Sequence, residues 1–231
     1  MRLDRFLSKT IGESRTSVKK LIRNRQIFVN DIAITSDGFH VDTAVDVVRY
    51  NDQVLEYEEY QYYLINKPQG YICANEDNIN PTIIDYAPEF IMYKLHTVGR
   101  LDKDTTGALM LTNDGKLTHR LISPKNAFEK VYIAEVDGEL SNDLIVQFRD
   151  GFVINDEFKT LPATLEIVDK NIGRVTVVEG KYHQIKRMFG AFGLKVIRLH
   201  RERFANLVVD DLPIGGYRRL SRDELKYLIK D

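Results

Sequence analysis

The run HTVGRLDKDTTGALMLTNDG, residues 96–115, sets a polar loop bounded by glycines between two apolar strands, 96–101 and 107–112. Working outward from it, period-two runs rich in branched and aromatic residues predict strands at 60–66, 128–137, 163–169, 172–179 and 195–209. Helical spacing predicts helices at 114–122, 141–149, 182–192 and 221–229. The last opens on Ser221 and Glu224 in capping-box spacing. Several strands follow one another with no helix between them. The pattern is therefore α+β with a mixed, mainly antiparallel sheet, not a succession of βαβ units. Lys67-Pro68-Gln69-Gly70 reads as a turn after the first of these strands.

Upstream of residue 60 the chain changes character, which divides it into a small α/β module, 1–59, and a larger domain, 60–231. Leu3, Phe6, Leu7 and Ile11 fall at helical spacing and Gly12 ends that run. Ser14 is placed to cap a second helix whose apolar side is Val18, Leu21 and Ile22, with Arg15, Lys19, Lys20 and Arg23 on the other side. After Asn24 the period shortens to two: Ile27 and Val29, an Asn30-Asp31 turn, then Ile32 and Ile34 predict strands closing back on the helices.

The whole chain has 231 residues, 33 Lys and Arg against 34 Asp and Glu, a net charge of −1, and 43% hydrophobic residues. That apolar fraction is ample for a buried core and excludes disorder as the main state. A lone cysteine, Cys73, excludes an intramolecular disulfide and a Cys-based zinc site, and suits a reducing cytosolic compartment. No run approaches the roughly 18 apolar residues of a membrane span, and Met1-Arg2-Leu3-Asp4-Arg5 lacks the apolar core of a signal peptide. A cytoplasmic protein with no membrane partner is expected. Near-neutral net charge would argue against nucleic acid, but the charge is sorted. Residues 1–30 carry +6, residues 31–60 carry −7, and residues 181–203 carry +6 again. A phosphate backbone responds to such local fields, not to their sum.

The chemistry-bearing residues lie in three stretches. In the 96–115 run, Asp102 reads on its own as a turn residue satisfying backbone N–H groups. Asp102-x-Asp104 hints at a metal site, but oxygen-ligand sites need more acids than these, so no metal is expected. In FEKVYIAEV, 128–136, Tyr132 is either a core aromatic or, facing a cleft, a flat surface for a base. In EGKYHQIKRMFGAFG, 179–193, Ile185, Met188, Phe189 and Phe192 form a buried helical stripe. His183, Lys186 and Arg187 lie off it, as a solvated basic face or as cations aimed at an active-site anion or an RNA phosphate. No G-x-G-x-x-G run and no Walker-type loop appears, so no cofactor is expected.

Two resemblances organise these features. Residues 1–59 resemble the S-four-type RNA-binding module, on the text MRLDRFLSKTIGESRTSVKKLIRNRQIFVND (1–31). That likeness implies that Arg2, Arg15, Lys19, Lys20 and Arg23 grip RNA phosphates. NKPQGY (66–71), GRLDKDTTGALMLTNDG (99–115), KVYIAEV (130–136), EGKYHQIKRM (179–188) and LHRERF (199–204) together resemble the pseudouridine synthases that modify ribosomal RNA. The arrangement with an N-terminal module is similar to the ribosomal small subunit pseudouridine synthase A family; Ala108 departs from it, where a larger aliphatic residue is usual.

The resemblance implies a pseudouridine synthase fold and an isomerisation in which uracil leaves its ribose, turns, and rejoins through C5. It implies Asp102 as the catalytic carboxylate, Lys186 as its basic partner, and Tyr132 against the uracil ring. Ile185 would touch the base from another side and Arg100 would support the extruded nucleotide. The implied partner is 16S rRNA, free or as a partly assembled small-subunit particle, acted on by a monomer at uridine 516. Three other readings remain open on sequence: a sister synthase acting on 23S rRNA, a non-catalytic RNA-binding assembly factor, and a metal nuclease.

Overall fold

The structure, a computed structural model, describes residues 1–154 and 158–230. The chain forms two compact units, Met1–Tyr60 and a second that begins at Gln61.

In the first unit, α1 (Leu3–Thr10) and α2 (Arg15–Arg23) precede a four-stranded sheet of β1 (Ile27–Val29), β2 (Ile32–Ala33), β3 (Val48–Tyr50) and β4 (Gln53–Leu55), in the order β2-β1-β3-β4. The Ser14 side chain accepts the Ser17 N–H and caps α2 as its position predicts. Leu3, Phe6 and Leu7 meet Val18, Ile22, Ile27, Val29 and Val48 in one core. Two hairpins are made by the same chemistry. Asn30-Asp31 and Asn51-Asp52 all adopt positive φ, as the tight turns that match strand twist require. Sequence reading found the first of these turns and missed the second, along with β3 and β4.

The second unit is built on a nine-stranded sheet. Its elements are β5 (Tyr62–Lys67), α3 (Pro88–Met92), β6 (His96–Thr97), β7 (Thr106–Thr112), α4 (Gly115–Ile122), β8 (Lys130–Val136) and α5 (Asn142–Asp150). They continue with an antiparallel pair, β9 (Val153–Ile154) and β10 (Phe158–Lys159), then β11 (Thr164–Asp169), β12 (Ile172–Val177), α6 (Gln184–Gly190), β13 (Val196–Phe204), β14 (Leu207–Val208), β15 (Tyr217–Arg219) and α7 (Arg222–Ile229). The order is β11-β12-β8-β13-β7-β5-β15, with β14 beside β13 and β6 beside β7. Among the described residues only β7 and β13 run parallel, so the sheet is mixed and mainly antiparallel, as read from sequence.

The apolar run of β7 follows from having both faces covered. Ala108 and Met110 pack with Leu64, Leu117, Leu121, Phe204 and Leu228 on one face. Leu109 and Leu111 pack with Tyr63, Ile65 and Phe90 on the other. A third core joins Ala134, Val136, Phe148, Val175, Ile185, Met188 and Phe189. Ser221 and Glu224 make the capping box of α7 in full.

Several expectations need correction. The 96–101 strand stops at Thr97, because residues 98–105 make the loop that carries Arg100 and Asp102. The 195–209 strand breaks at Ala205, which adopts φ 52, and doubles back as β14. The 182–192 helix covers only 184–190, because His183 before it is left-handed (φ 50, ψ 33). Phe192 therefore leaves the buried stripe; it is 36% exposed and packs edge-on against Phe152. The edge strand β15, α3 and the β9–β10 pair carry no clear periodic signal, and the sequence does not predict them.

Gly107, Arg201 and Tyr132 lie side by side across β7, β13 and β8. Gly107 has φ +110, and a Cβ there would land on the Arg201 backbone. A fixed neighbouring strand leaves no relaxation, so Gly107→Ala is expected to destabilise by roughly 3 kcal/mol or more. Urea unfolding measures this, and a midpoint equal to wild type would refute the close-approach reading.

Candidate active site

Asp102 sits in the loop leading into β7, and that loop is held from beneath by the 67–70 turn. The Lys67 ammonium donates to the carbonyls of Pro68 (3.1 Å), Asp102 (3.0 Å) and Thr105 (3.0 Å). Gly70 N–H donates to the Lys103 carbonyl at 2.8 Å, and the Gln69 amide to the Asp104 carbonyl at 3.0 Å. Leu101 N–H reaches Cys73 Sγ at 3.3 Å. Lys67 is fully buried, an unusual place for lysine. Burial lowers its pKa, while the charges of Asp102 and Asp104 act in the opposite direction. Three carbonyl acceptors engage all three N–H bonds of an ammonium, whereas a neutral amine has two. The geometry therefore calls for charged Lys67.

On the open side, Asp102 meets α6 and the residue before it. Lys186 Nζ lies 3.1 Å from Asp102 Oδ2 and 2.6 Å from Asp104 Oδ1, and His183 Nε2 is 3.5 Å from Asp102 Oδ1. Burial disfavours the Lys186 charge, but its contacts with the two carboxylates outweigh that and raise its pKa. Asp104 is held below the ordinary carboxylate range because the Lys186 contact outweighs its own partial burial. The Asp102-x-Asp104 spacing thus shares a lysine. Among the described residues no group of three or more His, Cys, Asp or Glu is gathered as a metal site.

The turn that presents His183 is tied by Gln184, which sequence reading passed over. Its Oε1 accepts the Lys181 N–H at 2.9 Å, and its Nε2 donates to Glu179 Oε1 at 2.7 Å. Arg100, Asp102, Tyr132, His183 and Ile185 line one small cleft of about 90 Å³. Tyr132 is half-buried, touching two of the cores while facing this cleft. Ile185 is 4% exposed and forms part of the floor. Arg187 stands beside the cleft with its guanidinium 5.0 Å over the Phe158 ring. The site therefore gathers a carboxylate with two nitrogen partners, a phenol and an apolar floor, from elements far apart in the chain.

The first unit is described by itself. Arg15, Lys20 and Arg23 are exposed on α2. Lys19 and Arg23 lie within 3.5 Å and 3.4 Å of Asp37. Arg2 makes two hydrogen bonds to buried Asp4, at 3.1 Å and 3.0 Å, so its guanidinium has a structural partner.

Residues 61–191 match the RNA pseudouridylate synthase family model, and residues 1–47 match that of the S4 domain. The chain belongs to the RNA pseudouridylate synthase family. Its relatives include the ribosomal small subunit pseudouridine synthase A of Yersinia pestis, 40% identical over 97% of this chain and 97% of that protein. The protein of the same name from Escherichia coli K12 is 36% identical over 99% of this chain and all of its own length. A crystal structure of a pseudouridylate synthase superposes with TM-score 0.70 at 37% identity, covering 99% of this chain and 100% of that one. The enzyme is thus an RNA pseudouridine synthase with an S4 domain, which removes the assembly-factor and nuclease readings.

A half-buried cation on β8 has a measurable signature. Lys130 donates to the carbonyls of Phe128 (2.7 Å) and Val178 (3.2 Å), and burial, aided by the Arg201 charge, lowers its pKa from 10.5 to about 8. Between those values the unfolded chain binds more protons than the folded one, so this group makes stability rise with pH over that interval. Lys130→Met is expected to remove the rise. Urea midpoints of both proteins on either side of the interval measure it, and a constant wild-type-minus-variant difference would contradict the assignment.

Proposed function

We propose that this enzyme converts one uridine of 16S rRNA to pseudouridine during ribosome maturation in the cytoplasm, with uridine 516 the expected target. The observation that carries this is end-to-end similarity, over both the S4 and the synthase parts, to relatives named for the small subunit.

In this reading the uridine leaves its stack and enters the cleft. Extrusion costs a few kcal/mol, which Lys and Arg contacts to flanking phosphates offset. Asp102, paired with Lys186 at 3.1 Å, acts at the ribose as the N1–C1′ bond breaks. Uracil rotates against Tyr132 and Ile185, C5 bonds to C1′, and the C5 proton leaves as N1 gains one. Arg100 supports the extruded nucleotide; His183 and Arg187 face its phosphates. The exposed basic side of α2, with Arg15, Lys19, Lys20 and Arg23, grips rRNA away from the reacting base, and Arg2 adds charge at its border. The product is an isomer of the substrate, so no donor is consumed. The protein acts as a monomer on rRNA or on a partly assembled small-subunit particle.

Mapping pseudouridine in both rRNAs of a strain lacking the protein tests the target. Loss of one 16S position supports the proposal. Loss of a 23S position with 16S intact would reassign the enzyme to the large subunit.

A further inference from the structure

Tyr182 is the most exposed aromatic side chain among the described residues, at 73%. It stands immediately outside the cleft wall and is already half of a stack. Its ring lies on the His183 imidazole with centroids 3.8 Å apart and planes 19° from parallel. His183 in turn reaches Asp102 at 3.5 Å. One face of Tyr182 is thus covered by His183, and its exposure leaves the other open.

The pair is held in place. His183 has left-handed backbone, uncommon outside glycine, and Gln184 ties the preceding turn to Lys181 and Glu179. The same segment carries two cations, Lys181 and Arg187, which both lie over the Phe158 ring, at 5.6 Å and 5.0 Å. An exposed, stacked ring in a segment that also carries cations is what single-stranded nucleic acid recognition uses, a base on the ring and phosphates on the cations.

We propose that Tyr182, backed by His183, is the stacking platform for the base next to the target uridine. This rests on the reading that the cleft takes a uridine from RNA. Extruding that uridine strips its neighbour of a stacking partner, and the open Tyr182 face replaces it. Tyr182 is then a substrate-positioning residue, reading the presence of a flanking base and not its hydrogen-bonding edge.

The test uses the full-length enzyme and an rRNA transcript on which wild type forms pseudouridine. Tyr182→Ala is expected to raise KM by roughly 5- to 100-fold, the loss of one aromatic–base stack, with the defect absent from kcat. Tyr182→Phe keeps the ring and should restore KM. Transcripts made abasic at the 5′ or the 3′ neighbour complete the test. On one of them wild type and Tyr182→Ala should become equal, which also identifies the stacked neighbour. The proposal is overturned by an unchanged KM in Tyr182→Ala, by a Phe variant as defective as Ala, or by a difference that persists on both abasic transcripts. A shifted pH profile of kcat in Tyr182→Ala would instead show action on Asp102 through His183, and would equally overturn it. Failure of wild type to modify any 16S or 23S transcript would count against the parent reading, and is visible separately.

Discussion

Asp102→Asn is expected to lower pseudouridine formation by about 10³-fold or more while leaving RNA affinity within a few-fold of wild type. The amide keeps the size of the carboxylate but not its charge, and that charge is the proposed reacting element of the cleft. The substitution should spare the fold. Lys186 retains Asp104 at 2.6 Å, so no half-buried ammonium is left without a counter-charge. Release of tritium from C5-labelled uridine in rRNA measures turnover, filter binding measures affinity, and thermal melting checks folding. Turnover near wild type with a normal melt would remove Asp102 from the chemistry.

Lys67→Met should have the largest effect on stability and should damage activity without touching substrate. It strands the carbonyls of Pro68, Asp102 and Thr105 in a closed site, where unmet acceptors and lost charge cost about 3–5 kcal/mol. For a chain of this size that is a fall in melting temperature on the order of 10 °C. Below the melt, kcat should drop because the 102–105 backbone is no longer held. Lys67→Arg should not rescue, since a planar five-donor fork does not fit three carbonyls arranged around one nitrogen. A melting temperature within a degree or two of wild type would overturn the assigned role.

Much of the candidate site is legible in the sequence. Asp102, Tyr132, Ile185 and Lys186 are motif residues, and the structure brings Asp102, Tyr132 and Ile185 to one cleft with Lys186 on the carboxylate. Lys67 falls within the NKPQGY motif, where the sequence predicts only a turn. By composition rules a lysine beside proline and glycine is solvated. Only closure of the 102–105 loop over it supplies the partners that make burial tolerable. Gln184 was overlooked for a similar reason: a glutamine at the start of a helix gives no signal until Glu179 and Lys181 fold around it.

The sequence by itself determined what depends on residue type and short spacing. It set the main strands and helices, the caps at Ser14 and Ser221, the Asn30-Asp31 turn and the sorted charge behind a net value of −1. Those features are governed by interactions within a few residues along the chain. The tertiary structure alone decided which distant groups meet. Lys186 and Asp104 are 82 residues apart in sequence and 2.6 Å apart in space. Lys67 lies 35 residues from the Asp102 carbonyl it binds. Hydrogen bonds and ion pairs act over a few ångströms, so a charged side chain has no defined partner until the β7–β13–β8 array sets the distances.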